Sequence, residues 1–114
     1  MRWKVLDTGK SSALANMETD AKLMENLSSL KAPLLHFYDW NTYAGTYGYF
    51  TRPEEHLRLA RLETHKFEIA RRPPGGGIIF HHYDLAFSAL VPAGFPNFSF
   101  NTMENYAFIN TRVI

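Results

Sequence analysis

The segment "RRPPGGGIIFHH", residues 71–82, concentrates the residue types of this chain that do chemistry. Arg71 and Arg72 bring guanidinium forks that match carboxylate or phosphate geometry. Gly75, Gly76 and Gly77 lack a Cβ, so their backbone N–H groups can approach a bound anion closely. Two phosphate-loop chemistries are excluded. A P-loop needs a lysine after its glycines, and none follows here. A dinucleotide fingerprint opens a helix, whereas these glycines open the β-branched and aromatic run "IIF". What remains is a backbone cradle between two strands. Arg71 and Arg72 would point to opposite faces there, one meeting an anion and the other facing solvent. On composition alone, the competing reading is a plain hairpin loop beside a solvated arginine pair.

His81 and His82, with Asp84 nearby, raise the question of a metal. Neighbouring residues of a regular strand face opposite sides, so the two imidazoles cannot share one ion and no bound metal is expected. One histidine is expected beside the glycines, the other packed or solvated. Ser88 sits in a strand pattern and not on a G-x-S-x-G elbow, which excludes a serine-hydrolase signature. The chain has no cysteine, which removes disulfides, thiolate metal sites and a cysteine nucleophile. Phe37, Tyr38, Trp40, Tyr43, Tyr47 and Tyr49 are candidates to line an apolar tunnel. Basic residues are not interleaved with them, as a base-stacking platform would require.

The elements that must position these residues follow from periodicity. "RWKVL" reads as a strand and "DTGKSS" as a turn into a helix, with Ser11 or Ser12 as the cap. Leu14, Met17, Ala21, Met24, Leu27 and Leu30 recur at helical spacing, with Asn16 and Asp20 expected to hydrogen-bond at the border of that stripe. "PLLHFYDW" and part of "NTYAGTYGYF" read as strands, residues 54–64 as a short charged surface helix, and "KFEIARR" as a strand with two unlike faces. "IIFHHYDLAFSALV" is one long strand or two joined near Tyr83 and Asp84. Met103, Tyr106, Ile109 and Val113 mark a last helix still running at Ile114, which leads us to expect a fragment of a longer domain. The order, with hairpin-like joins, predicts an α+β fold: a mixed, largely antiparallel sheet packed against helices.

The 114 residues fit a single domain, 46% hydrophobic, with a net charge of +1. Nothing in that charge recruits nucleic acid or an anionic membrane. No run reaches the length of a membrane helix and the N-terminus has no signal-peptide pattern, so a cytoplasmic protein is expected.

The succession "ALANMETDAKLMENL", "PLLHFYDWNTYAGTYGYF" and "RRPPGGGIIFHHYDLAFSALVP" resembles the biotin/lipoate A/B protein ligase catalytic domain family, above all lipoate–protein ligases and octanoyltransferases. The resemblance covers essentially the whole chain. It rests on the pattern Arg-Arg-x-x-Gly-Gly-Gly-x-x-x-His, here Arg71 to His81. It implies a class II aminoacyl-tRNA synthetase/biotin ligase-like fold, incomplete at its C-terminus. It also implies a lipoyl or octanoyl chain held near Trp40, Arg71, Arg72, Gly75, Gly76, Gly77 and His81. ATP with Mg would be used in the ligase case. A small-molecule acyl donor would supply the acyl group. The acceptor would be a lipoyl-domain lysine, of the 2-oxoacid dehydrogenase E2 or glycine cleavage H-protein type.

Two departures stand out against that family. Pro74 replaces a hydroxyl residue, and Thr51 stands where many ligases carry a glutamine. The family's lysine or cysteine downstream of the histidine has no counterpart, since all five lysines precede the glycines. The chain is therefore expected to carry the acyl-binding half of a site and to be inactive alone. The alternative is a non-catalytic acyl- or lipoyl-domain-binding module. A biotin ligase is disfavoured because its G-R-G-R-x-G loop is absent.

Overall fold

A strand, a helix and a parallel strand are laid down twice along this chain, and each unit is completed by a third, antiparallel strand. The computed structural model describes residues 3–29, 31–81, 85–93 and 102–113. In the first unit, β1 (Lys4–Ser11) runs parallel to β2 (Leu34–Trp40) by way of α1 (Ala13–Glu25), and β6 (Ala86–Leu90) lies antiparallel on the other side of β2. In the second, β3 (Ala44–Tyr47) pairs parallel with β4 (Glu68–Arg71) through α2 (Leu59–Thr64), and β5 (Ile78–His81) pairs antiparallel with β3. A last helix, α3, spans Thr102–Val113. The α+β architecture expected from the sequence is therefore present.

The hairpin-like joins are not. Strands β4 and β5 both flank β3, so the proline-glycine segment crosses the end of the central strand and is not a hairpin loop. "IIFHHYDLAFSALV" divides into two strands that belong to different sheets. His82, Tyr83 and Asp84 lie outside the described residues.

Three other expectations shift for physical reasons. Residues 7–11, expected as a turn, continue β1, because parallel pairing with β2 resumes at Lys10 after an irregularity between Asp7 and Lys10. Gly9 supplies the left-handed backbone needed there, with φ of 69°. The segment expected as one helix over 54–64 splits into a short 3-10 helix at Pro53–Glu55 and α2, which buries no residue.

The third shift is in α1. Ser12 caps it as expected, its Oγ accepting from the Ala15 N–H at 3.1 Å. Its inward face, however, is Ala13, Asn16, Met17 and Asp20, and Leu14 is 60% exposed. Burying Asn16 and Asp20 in place of leucines is tolerable because both polar groups find partners. Asn16 Nδ2 donates to the Asp39 carbonyl at 2.8 Å, and Asp20 is held by β2 and β6.

The core that results is small. Ala13, Met17, Trp40, Ala44, Ala70 and Ala86 form one cluster, with Tyr38 packed against it. Four alanines let α1 and both sheets close around a single large side chain, Trp40. Among the described residues no helix is long and apolar enough to cross a membrane.

Candidate functional site: a glycine loop pinned to the central strand

The central strand β3 places Ala44, Thr46 and Gly48 on one side by its two-residue period. Thr46, only 1% exposed, is the junction of the site. Its hydroxyl accepts from Arg72 Nη1 at 2.8 Å and lies 3.1 Å from His81 Nε2. His81 opposes Ala44 in the ladder, so its imidazole reaches Thr46 diagonally. On its other side His81 stacks on Trp40, with ring centroids 4.2 Å apart and planes 23° from parallel. That stack joins the end of β2 in one sheet to the end of β5 in the other.

The glycine loop rests on this junction through its carbonyls. Arg72 Nη2 donates to the Gly77 carbonyl at 2.6 Å and, more weakly, to that of Gly75 at 3.4 Å. Thr51 Oγ1 donates to the Gly76 carbonyl at 2.8 Å. The backbone N–H groups of Gly48 and Tyr49 donate to the carbonyls of Gly77 and Pro74 at 3.1 and 3.0 Å. Four consecutive carbonyls are thus committed. Among the described residues, the N–H groups of Gly75, Gly76 and Gly77 make no such backbone bond.

Two glycines are dictated by this packing. Gly76 has φ of +108°, and a Cβ on Gly48 would sit 2.0 Å from the Gly76 carbonyl oxygen. The flexible residue type serves a close crossing of two backbones that is held by five hydrogen bonds.

Arg72 is therefore a pin for the loop as well as a cation beside it. Burial pulls its guanidinium below the ordinary arginine range, offset in part by Tyr38. Arg72→Lys removes the fork that serves Thr46 and the loop together. It is expected to lower stability by about 1–2 kcal/mol, read as a fall in the urea midpoint. Arg71 takes the opposite face of β4 and lies exposed, its guanidinium 5.6 Å from the Tyr47 ring centroid and 5.7 Å from that of Tyr49.

Of the residues singled out from sequence, the structure brings together Trp40, Arg72, Gly75, Gly76, Gly77 and His81, and sets Arg71 apart. The candidate tunnel aromatics do not share one wall. Phe37 packs on Phe87, Tyr43 on Phe67, and Tyr47 and Tyr49 under Arg71. Only Tyr38 and Trp40 border the junction. Among the described residues no group of three acidic, histidine or cysteine side chains is placed to hold a metal ion.

Sequence reasoning passed over a second assembly behind Trp40. His36, fully buried, sits 2.7 Å by Nδ1 from Asp20 Oδ1 and 2.7 Å by Nε2 from the Thr8 hydroxyl. Ser88 Oγ donates to Asp20 Oδ2 at 2.6 Å. The His36 ring packs on Tyr38 at 4.8 Å, and Tyr38 meets Trp40 edge-on at 5.4 Å. A ladder of rings therefore runs from the buried carboxylate to His81. The alternation of His36, Tyr38 and Trp40 along "HFYDW" was the available signal.

Comparison with known proteins places these features in context. Residues 12–112 match the lipoyl protein ligase A/B catalytic domain. The chain is similar to octanoyltransferase LipM of Carboxydothermus hydrogenoformans, 31% identical over 113 residues that cover 98% of this chain and 42% of that protein. Among solved structures it is similar to lipoate-protein ligase A bound with ATP, with a TM-score of 0.67 and 27% identity over 78% of this chain and 36% of that one. It is also similar to a bi-partite lipoate protein ligase of Thermoplasma acidophilum, solved with its E2 lipoyl domain. That likeness has a TM-score of 0.63 and 28% identity, covering 78% of this chain and 35% of the other. The chain spans about two-fifths of the length of the curated relatives it matches.

Proposed function

Since the chain belongs to the lipoyl protein ligase A/B catalytic domain family, an acyl-transferring family, we propose that it forms the acyl-binding half of a site attaching octanoate or lipoate to a lipoyl-domain lysine. One observation carries the reading: Arg72 joins Thr46, which His81 stacked on Trp40 also reaches, to a glycine loop whose carbonyls all turn toward protein donors. That arrangement leaves the glycine N–H groups for the carboxylate of the acyl group, or for the phosphate of an acyl-adenylate. His81, at the end of β5 away from the loop, and Trp40 stacked on it would wall the acyl chain further along. Arg71, over Tyr47 and Tyr49, belongs to the outer rim.

ATP use in the ligase manner is supported by the likeness to a ligase with bound ATP, and a lipoyl-domain acceptor by the likeness to a ligase solved with its E2 lipoyl domain. Residues 1–114 act as one domain in this reading. The nucleophile or carbonyl-activating lysine is not among them, because no cysteine occurs and every lysine precedes the loop.

A second reading, a non-catalytic module that binds an acyl group or a lipoyl domain, is favoured by Pro74 in place of a hydroxyl residue. Calorimetry and an acyl-transfer assay separate the two. The 114-residue chain is expected to bind octanoate and lipoate saturably and to transfer neither to a lipoyl domain, with or without ATP. A chain extended through its reading frame is expected to transfer. If the extended chain binds octanoate but transfers from no donor, the module reading stands. If neither chain binds an acyl carboxylate, both readings fail.

A further inference from the structure

Thr8, His36 and Asp20 come from β1, β2 and α1 and line up as hydroxyl, imidazole and carboxylate. Thr8 Oγ1 lies 2.7 Å from His36 Nε2, and His36 Nδ1 lies 2.7 Å from Asp20 Oδ1. The candidate acyl-binding site uses none of the three. A carboxylate oxygen only accepts, so it fixes the ring proton of the neutral imidazole on Nδ1 and leaves Nε2 as an acceptor. Thr8 therefore donates its hydroxyl proton to Nε2. Ser88 Oγ donates to the other carboxylate oxygen at 2.6 Å and holds Asp20 in this orientation. A hydroxyl beside a base that a third group orients is the arrangement that activates a serine or threonine nucleophile.

The three residues are also placed as that chemistry requires. His36 is fully buried and Asp20 nearly so, whereas Thr8 is exposed on the edge strand β1. Pairing runs from Asp7 with Phe37 to Lys10 with Asp39, which leaves Thr8 and Gly9 opposite the one residue Tyr38. This bulge is set by the Gly9 φ of 69° and by the Gly9 N–H, which donates to Asp7 Oδ1 at 2.9 Å. The space beside Gly9 is open, since a Cβ there would meet nothing within 4 Å. Among the described residues β1 pairs only with β2, so its outer edge presents backbone N–H groups that can hold a carbonyl oxygen.

We propose that Thr8, activated by His36 and Asp20, is a nucleophile that accepts the acyl group of an activated ester or thioester. Thr8 Oγ1 bonds to the carbonyl carbon while its proton passes to His36 Nε2. Asp20 steadies the imidazolium so formed. The imidazolium returns the proton to the leaving thiolate or aryl oxide as the C–S or C–O bond breaks. The products are a threonine ester and a free thiol or phenol. This centre lies at the end of the ring ladder away from His81, separate from the glycine cradle.

The probe is p-nitrophenyl acetate, added to the 114-residue chain. The wild type is expected to release a burst of about one equivalent of p-nitrophenol and to gain the mass of an acetyl group. Peptide mapping is expected to place that group on Thr8. Neutral hydroxylamine is expected to remove it, as it cleaves esters and spares lysine amides. Thr8→Val keeps the side-chain shape without the hydroxyl and is expected to lose the adduct, and Thr8→Ser to retain it. Asp20→Asn keeps a hydrogen bond to His36 but removes the charge, and is expected to slow the burst at least tenfold.

No adduct, an adduct on lysines alone, or an undiminished burst in Thr8→Val or Asp20→Asn overturns the assignment and makes the network purely structural. Each of these results leaves the acyl-binding reading standing, because octanoate binding does not involve Thr8.

Discussion

Asp20→Ala is expected to lower the free energy of unfolding by about 3 kcal/mol. The substitution takes the partner from one fully buried group and one half-buried group. His36 Nδ1 loses its partner at 2.7 Å in a residue with no exposure at all, and the Ser88 hydroxyl loses an acceptor at 2.6 Å. Four elements meet at this carboxylate through Thr8, His36, Ser88 and Asp20 itself, so β1, β2, β6 and α1 are all loosened. The loss travels toward the site because His36 backs Tyr38, and Tyr38 backs Trp40. Asp20→Asn keeps the Oδ1 acceptor for His36 and can offer its amide to Ser88, so its cost is expected to be nearer 1 kcal/mol. Urea unfolding at constant slope measures both. A loss below about 1 kcal/mol in the alanine variant would show that water replaces the carboxylate and that the network does not tie the sheets together.

Gly48→Ala is expected to abolish measurable octanoate binding, a loss of more than tenfold, while costing about 1–3 kcal/mol in stability. The added methyl would lie 2.0 Å from the Gly76 carbonyl oxygen, 2.6 Å from its nitrogen and 2.7 Å from its carbonyl carbon. These atoms are backbone on both sides, so the loop itself must move. Moving it breaks the bonds from Gly48 and Tyr49 N–H, from Thr51 and from Arg72 that aim the loop. Gly77→Ala is the control for folding, since a Cβ there meets nothing within 4 Å. Its melting is expected to match the wild type. If Gly48→Ala binds octanoate as the wild type does, the loop's close crossing over β3 has no bearing on the ligand.

Local chemistry was legible in the sequence, and long-range register was not. The cap at Ser12 could be read because a hydroxyl three residues before a free N–H is a local arrangement. The strands around the glycines could be read from their apolar runs. Thr46 could not be told from Thr42, because its importance comes from parallel pairing with β4 and antiparallel pairing with β5, which bring Arg72 and His81 to one hydroxyl. His36 and Asp20 stand 16 residues apart and meet only through the crossover of α1. The helical stripe misled for the same reason. Leu14 fits the period better than Asn16 or Asp20, yet the polar pair is buried because β2 and β6 offer it partners. The family resemblance located the loop, and the structure explains why two glycines are needed: Gly76 takes a positive φ, and Gly48 lets its backbone pass against another.

The central claim is that the glycine N–H groups over Arg72 receive an acyl carboxylate. Amide resonances of Gly75, Gly76 and Gly77, followed as octanoate is added to the wild-type and Gly48→Ala chains, test it most directly. The account predicts saturable shifts at these three amides in the wild type and none in Gly48→Ala. Octanoate binding that leaves all three unmoved in the wild type would contradict it.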